Sequence, residues 1–375
     1  MVSSSPSSSG SSLYIFTTSQ IPLPIKYAHP RKPVLVVPPI VHRSLHNALD
    51  GDTPSVSYAE GELIIPHPDG LVKHDLPPSS SRSNTNPKSD SDSQPSAPSE
   101  GQINGEVDGT GLSDAASNYI IDSELTIKLH LVGEAPSSSS PSSASGEQGY
   151  ISWIKESLGL LEKYKGLSKD KIDTLLIGFK GIDYRGAKTA ASEMFGCGSE
   201  GLETPNTQSI PSELRQTAIR TLRQVKHQGD ILGEQTKLGS LYFTLDLLKE
   251  LGQGVQVNAL DTPDCHHLPK EYTSYAREAG VQLWAGGGGE GSDPLPTAHL
   301  HNLLQEFSGN LSDLTDGEVK SPALGQPIGV RADGLKFQED AEKGVEVKWV
   351  LSYTLVSKTR NVVKDKGYII AATFI

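Results

Sequence analysis

Ile172-Asp-Thr-Leu-Leu-Ile-Gly-Phe179, Val255-Gln-Val-Asn-Ala259 and Val281-Gln-Leu-Trp284 are short apolar runs within one continuous stretch, Lys171 to Ala285. Helical patterns separate them. Ser212 to Gln228 is closed by Gly229, Ser240 to Leu251 by Gly252, and Leu268 to Ala279 by Gly280, with a weaker strand expected near Ile231–Leu232. Strands alternating with helices of this length indicate βαβ units on a parallel sheet. No glycine-rich dinucleotide fingerprint follows any of the strands, which weighs against an open nucleotide-binding sheet. The expected fold class is therefore α/β, a (β/α)8 TIM barrel.

Each helix carries one apolar stripe. Leu214, Ala218, Leu222 and Val225 mark the first, with Ser212 as its expected cap. Leu241, Leu245 and Leu248 mark the second, with Ser240 as cap; Tyr272, Tyr275, Ala276 and Ala279 mark the third, with Pro269 in its first turn. Upstream, Leu125-Thr-Ile-Lys-Leu-His-Leu-Val132 alternates as a strand, and Ile151, Ile154, Leu158 and Leu161 form a helical stripe stopped by Gly166. Leu13–Phe16, Val34–Val37 and Leu63–Ile65 are expected strands nearer the start. A helix from Ala298 to Phe307, a largely irregular stretch from Gly309 to Gly344, and two β-branched runs, Val345–Lys358 and Val362–Phe374, close the chain.

The chain has 375 residues, 35% of them hydrophobic, which suits one barrel of about 250 residues diluted by unstructured sequence. Residues 1–12 are expected to be a solvated tail. The span 13–375 reads as a single domain with disordered insertions at 77–118 and 136–146, rich in Ser, Pro, Asp and Gly. A net charge of −12 argues against nucleic acid or an anionic membrane as partner. Two cysteines, Cys197 and Cys265, make no disulfide framework and fit a reducing compartment. With no apolar run approaching about 18 residues and no signal-peptide pattern, a soluble, cytoplasmic protein is expected.

Few local motifs carry chemistry. Asp264-Cys265-His266-His267 is the densest set of metal-ligand types, but neighbours on an extended segment point apart and no second pair stands at zinc spacing, so it reads as a polar loop. His299 and His301, two apart on a helix, read as surface histidines. Gly286 to Gly289 lacks the lysine and hydroxyl of a phosphate loop, and Cys197 has no predicted base beside it. Lys358-Thr-Arg360 and Lys364-Asp-Lys366 flank Val362-Val363 as a basic strand end suited to an anion.

Several stretches resemble a known family. Val255-Gln-Val-Asn258 is similar to the Asn-Gln-Val strand of aldo-keto reductases, and Ile172-Asp-Thr-Leu-Leu-Ile177 to their Asp-x-x-x-Leu-Ile strand. A closer resemblance is to the regulatory (modifier, light) subunits of glutamate–cysteine ligase, catalytically inert relatives of those reductases. It is carried by Leu351-Ser-Tyr-Thr-Leu-Val-Ser-Lys-Thr-Arg360, by Asn361-Val-Val-Lys-Asp-Lys-Gly-Tyr-Ile-Ile370, and by Leu125 to Val132 with the Ser-rich run after it. It spans Leu13–Thr18 and most of Tyr119 to Phe374.

That resemblance implies a barrel of aldo-keto reductase type and a reductase site to compare. Reductase chemistry uses a Tyr acid lowered by a Lys paired with an Asp, and a His that orients the carbonyl. By resemblance Lys128 takes the lysine position, and Gly178 stands where the histidine would be. Asp52 and Tyr58 do not have the spacing of the reductase Asp and Tyr. Lys364 and Lys366 fall where reductases hold the 2′-phosphate of NADPH, so the resemblance implies at most a vestigial cofactor site, with no cofactor required. The expected function is a non-catalytic subunit that binds and activates the catalytic (heavy) subunit of glutamate–cysteine ligase in glutathione biosynthesis. The alternative is an NADPH-dependent reductase of aldehydes or ketones.

Overall fold

The computed structural model describes residues 11–17, 36–50, 53–74, 122–134, 145–183, 210–260, 268–285, 291–314, 344–359 and 362–375. In chain order the elements are β1 (Ser12–Phe16), α1 (Val37–Leu49), β2 (Ser57–Ala59), β3 (Glu62–Ile65), β4 (Ser123–Leu131), α2 (Ser145–Lys165) and β5 (Thr174–Phe179). Then come α3 (Ser212–His227), β6 (Lys237–Leu241), α4 (Leu245–Leu251), β7 (Val257–Leu260), α5 (Lys270–Glu278) and β8 (Gln282–Ala285). Helices α6 (Thr297–Glu306) and α7 (Ser308–Leu314) precede the long hairpin of β9 (Val345–Ser357) and β10 (Val363–Phe374).

All ten strands form one sheet in the order β2-β3-β1-β10-β9-β4-β5-β6-β7-β8. From β4 to β8 the neighbours are parallel and in chain order, joined by α2, α3, α4 and α5. These four helices pack on one face, which the core shows directly. Ile154, Leu158 and Leu161 of α2, Leu222 and Val225 of α3, Leu248 of α4 and Tyr272 of α5 join Leu125, Ile127, Leu129, Leu175 and Ile177 in one cluster. Along β4–β8 the four connecting helices thus lie on one side, while other helices cover part of the opposite face. The remainder of the sheet departs from that pattern. The β9–β10 hairpin inserts between β4 and β1 with antiparallel pairings on both sides, so β1 and β3 run opposite to β4–β8. Among the described residues nothing pairs the outer edges of β2 and β8. The fold is thus a mixed α/β structure around a ten-stranded open sheet.

The reverse face has two coverings. Helices α1, α6 and α7 bury Leu13, Ile15, Val347, Val350, Ile370 and Ala372, while Leu176, Leu241, Tyr242, Val257 and Ala259 form a smaller cluster beside them, with Trp284 against it.

Several expected elements change. Val36 and Val37, read as the end of a strand, instead start α1: proline fills its first turn, and Ile40, Val41, Leu45, Ala48 and Leu49 recur at helical spacing on its buried side. Ile231–Leu232 is a turn, and the strand is Lys237–Leu241. Ser240 therefore lies in β6 rather than capping α4, whose cap is Thr244, accepting from the Leu247 amide at 3.4 Å. Gly239 hides this strand in the sequence and is needed there, since a Cβ would come within 2.8 Å of the Val257 carbonyl. Pro211, not Ser212, is the N-cap of α3. Of the stretch from Gly309 to Gly344 read as mostly irregular, the part up to Leu314 belongs to α7, and 315–343 lies outside the described residues. Ser145 and Gly146, placed in the second insertion, already belong to α2. The remaining insertion residues lie outside the described residues, as do Cys197, Asp264–His267, Gly286–Gly289 and Asp52.

Candidate functional site

Cross-strand register places Lys128 and Gly178 on the reverse face of neighbouring strands. Lys128 pairs with Leu176 on β5 and Ser352 on β9; one step toward the β4 C-terminus, His130 pairs with Gly178 and Val350. Lys128 is half-buried and His130 fully buried. The imidazole fills the neighbourhood of the missing side chain: a Cβ on Gly178 would stand 3.6 Å from His130 Nδ1 and 3.0 Å from Leu241 Cβ. Position 178 is therefore closed to a histidine unless Leu241 gives way.

Tyr242 completes this group. Its φ of 62° is left-handed, which a large L side chain rarely adopts. That turn breaks strand alternation, so Leu241 and Tyr242 enter the same cluster. The Tyr242 ring lies 6.0 Å from that of His130. Lysine, histidine and tyrosine thus occur near one face at the C-terminal half of β4–β6, the end where α/β sheets bind ligands. At that same end Lys180 meets Asp293 at 3.1 Å. His299 is half-buried, with its pKa pushed down by burial and held partly up by Asp293.

A second group contains all four reductase residue types, on the opposite face. Asp365 Oδ2 on β10 receives His74 Nε2 at 2.7 Å and the Tyr353 hydroxyl at 3.3 Å, and Lys165 Nζ stands 3.4 Å away. The Lys165 ammonium also lies 5.3 Å from the Tyr353 ring centre. The group is deeply enclosed, with Tyr353 at 1%, Lys165 at 2% and Asp365 at 7% exposure. Burial, then the Asp365 charge and its hydrogen bond, pushes the Tyr353 hydroxyl well above the ordinary phenol range. Burial pulls Lys165 down, against the pull of Asp365. A carbonyl reductase needs the reverse, a tyrosine made more acidic and open to substrate. The β10 backbone packs tightly here, since a Cβ on Gly367 would come within 2.8 Å of the Tyr353 hydroxyl. This group holds α2, β9, β10 and the His74 segment together, and the His74 amide donates to the Lys165 carbonyl at 2.7 Å.

Asn258, in the stretch similar to the reductase Asn-Gln-Val strand, faces the helices. Its Oδ1 accepts from the Ser240 hydroxyl at 2.8 Å and the Phe243 amide at 3.3 Å; its Nδ2 donates to the Phe243 carbonyl at 3.2 Å and the Tyr272 oxygen at 2.5 Å. With all four positions used internally, the amide serves packing between β6, β7 and α5.

Lys364 and Lys366 lie elsewhere. Lys366 pairs with Thr354, which pairs with Thr126 near the start of β4, and Lys364 is the extra residue of a bulge. Both are therefore distant along the strands from the C-terminal edge of β4–β8. His301, expected at the surface, is fully buried and accepts the Gly344 amide at 3.0 Å on Nδ1. Among the described residues no three His, Cys, Asp or Glu side chains gather as a metal site, and no helix is long and apolar enough to cross a membrane. Sequence reasoning missed His130, Tyr242 and the Asp365 group. His130 had a usable signal, since it sits two residues from Lys128 on an alternating strand.

Compared with known proteins, the chain matches no protein-family model, no curated protein and no solved structure.

Proposed function

We propose that this chain is a non-catalytic regulatory subunit of glutamate–cysteine ligase, built on a scaffold related to the aldo-keto reductase barrel, which binds and activates the catalytic subunit. The fold part of this reading draws on β4–β8, with its sequential strands and one-sided helices. The functional part draws on the sequence resemblance and above all on Gly178, walled by Leu241 and His130 where a reductase would orient its carbonyl. The enclosed Tyr353, made less acidic, supports the same reading. No cofactor is required, and a cytoplasmic setting goes with this role.

A regulator acts by binding one conformation of its partner more tightly than another. Each tenfold change in the partner's apparent substrate affinity needs about 1.4 kcal/mol of such preference. The test is co-expression with the catalytic subunit and assay of γ-glutamylcysteine formation with and without this chain. Co-purification with raised activity at low glutamate is expected; absence of both would end the reading.

The second reading, an NADPH-dependent reductase of aldehydes or ketones, is favoured by the Tyr242 ring 6.0 Å from that of His130, with Lys128 two residues before His130 on the same face of β4. Carbonyl reduction by the purified chain with NADPH would establish it.

A further inference from the structure

The reverse face of the sheet is covered unevenly. Helices α1, α6 and α7 reach down to the row containing Ile370 and Val350. Below it, three rows cross β10, β9 and β4: Tyr368–Ser352–Lys128, Lys366–Thr354–Thr126, and Val363–Val356–Glu124. Lys366, Val363 and Glu124 are exposed, and Val356, Thr354, Thr126 and Lys128 are half-buried. Val363, at 49% exposure, belongs to a very small set of exposed large apolar residues among the described residues, and Val362 precedes it at 55%. Lysine is concentrated here in a chain of net charge −12. Lys128 and Lys366 stand on the face, Lys364 in the bulge, Lys358 at the turn, 3.5 Å from Asp173, and Lys237 beyond Thr174 in the middle row. Glu124, Asp173 and exposed Asp122 are the opposing charges.

The patch is firmly presented. Asp365 points to the other face, where His74 and Tyr353 hold it, and strand alternation then turns its neighbour Lys366 outward. The Lys358 amide fixes the turn by donating to the Asp122 carbonyl at 2.8 Å. At strand spacings of about 4.8 Å and rows about 7 Å apart, the patch measures about 10 by 14 Å.

We propose that this end of the β10–β9–β4 face, which among the described residues lies beyond the helix-covered cluster, docks an acidic surface with an apolar edge, the surface being one on the ligase catalytic subunit. The proposal rests on the regulatory-subunit reading and adds where contact is made. Lysines beside the row that holds Val363 and Val356 steer an acidic partner and leave those valines to be desolvated against it.

Binding of the catalytic subunit to the full chain, measured by interferometry, tests it. Val363→Ser with Lys366→Glu weakens binding by about tenfold or more, while the melting curve follows that of the parent. Ile375→Ser, exposed at the far end of β10, leaves binding unchanged. Lys366→Glu alone keeps the test readable if the double variant melts early. Undiminished binding by both variants overturns the docking face while the regulatory reading stands. No binding by the parent chain removes both. A parent homodimer broken by these substitutions, with catalytic-subunit binding intact, assigns the face to a second copy and overturns the proposal.

Discussion

Tyrosine, lysine and histidine join around Asp365 on one face of the sheet, while on the other Lys128, His130 and Tyr242 are only spread along neighbouring strands. Around Asp365 they are joined by a carboxylate and sealed from water. On the Gly178 side they stand toward the C-terminal end of β4–β6, with Leu241 against the glycine. Residue composition alone would call the first a reductase site. Environment decides otherwise: enclosure makes Tyr353 a poorer acid, and a hydroxyl that substrate cannot reach has no one to protonate. The same side chains become mortar on one face and remain near a possible ligand position on the other.

The largest effect separating the two places comes from Lys165→Met. It strips Asp365 of its ammonium neighbour inside the core, so a loss of about 3–5 kcal/mol is expected, read by urea unfolding. Adding Asp365→Asn removes the stranded charge and restores part of the loss. A Lys165→Met protein as stable as its parent would mean the buried group holds nothing together. Gly178→His then sharpens the other side. Crowding against Leu241 lowers stability by about 1–3 kcal/mol, and no carbonyl reduction appears with NADPH; turnover in that variant would break the contrast. The smallest effect is on pH. Burial lowers the His299 pKa below its ordinary 6.5, so below that pH the unfolded chain binds more protons than the folded one. Its contribution is present above pH 6.5, lost as pH falls, and fully lost below the folded pKa. His299→Gln should flatten that portion of a stability–pH curve.

Much of β4–β8 was legible because apolar runs and helical stripes alternate there. The exception, β6, is masked by Gly239 and Ser240, whose small side chains carry no alternation although packing against Leu176 and Val257 demands the glycine. Strand direction was not legible: β1 reads as any apolar run, and only its pairing with β10 reveals that it runs against β4. α1 reads locally as a strand because valines before proline favour extended backbone, while packing against β3 and α6 rewards a helix. For the site, Lys128 and Gly178 were named from resemblance. The Asp365 group draws on positions 74, 165, 353 and 365, the first and last 291 positions apart, and no local pattern marks such a meeting.

The position of the β9–β10 hairpin sets how the chain can be made. β1 finds its antiparallel neighbour only in β10, and β4 only in β9. Until Val345–Phe374 has left the ribosome, the strands translated earlier remain as two fragments, each with an open rim able to capture another chain. Such late, distant closure slows folding and makes the nascent protein a natural client for chaperones.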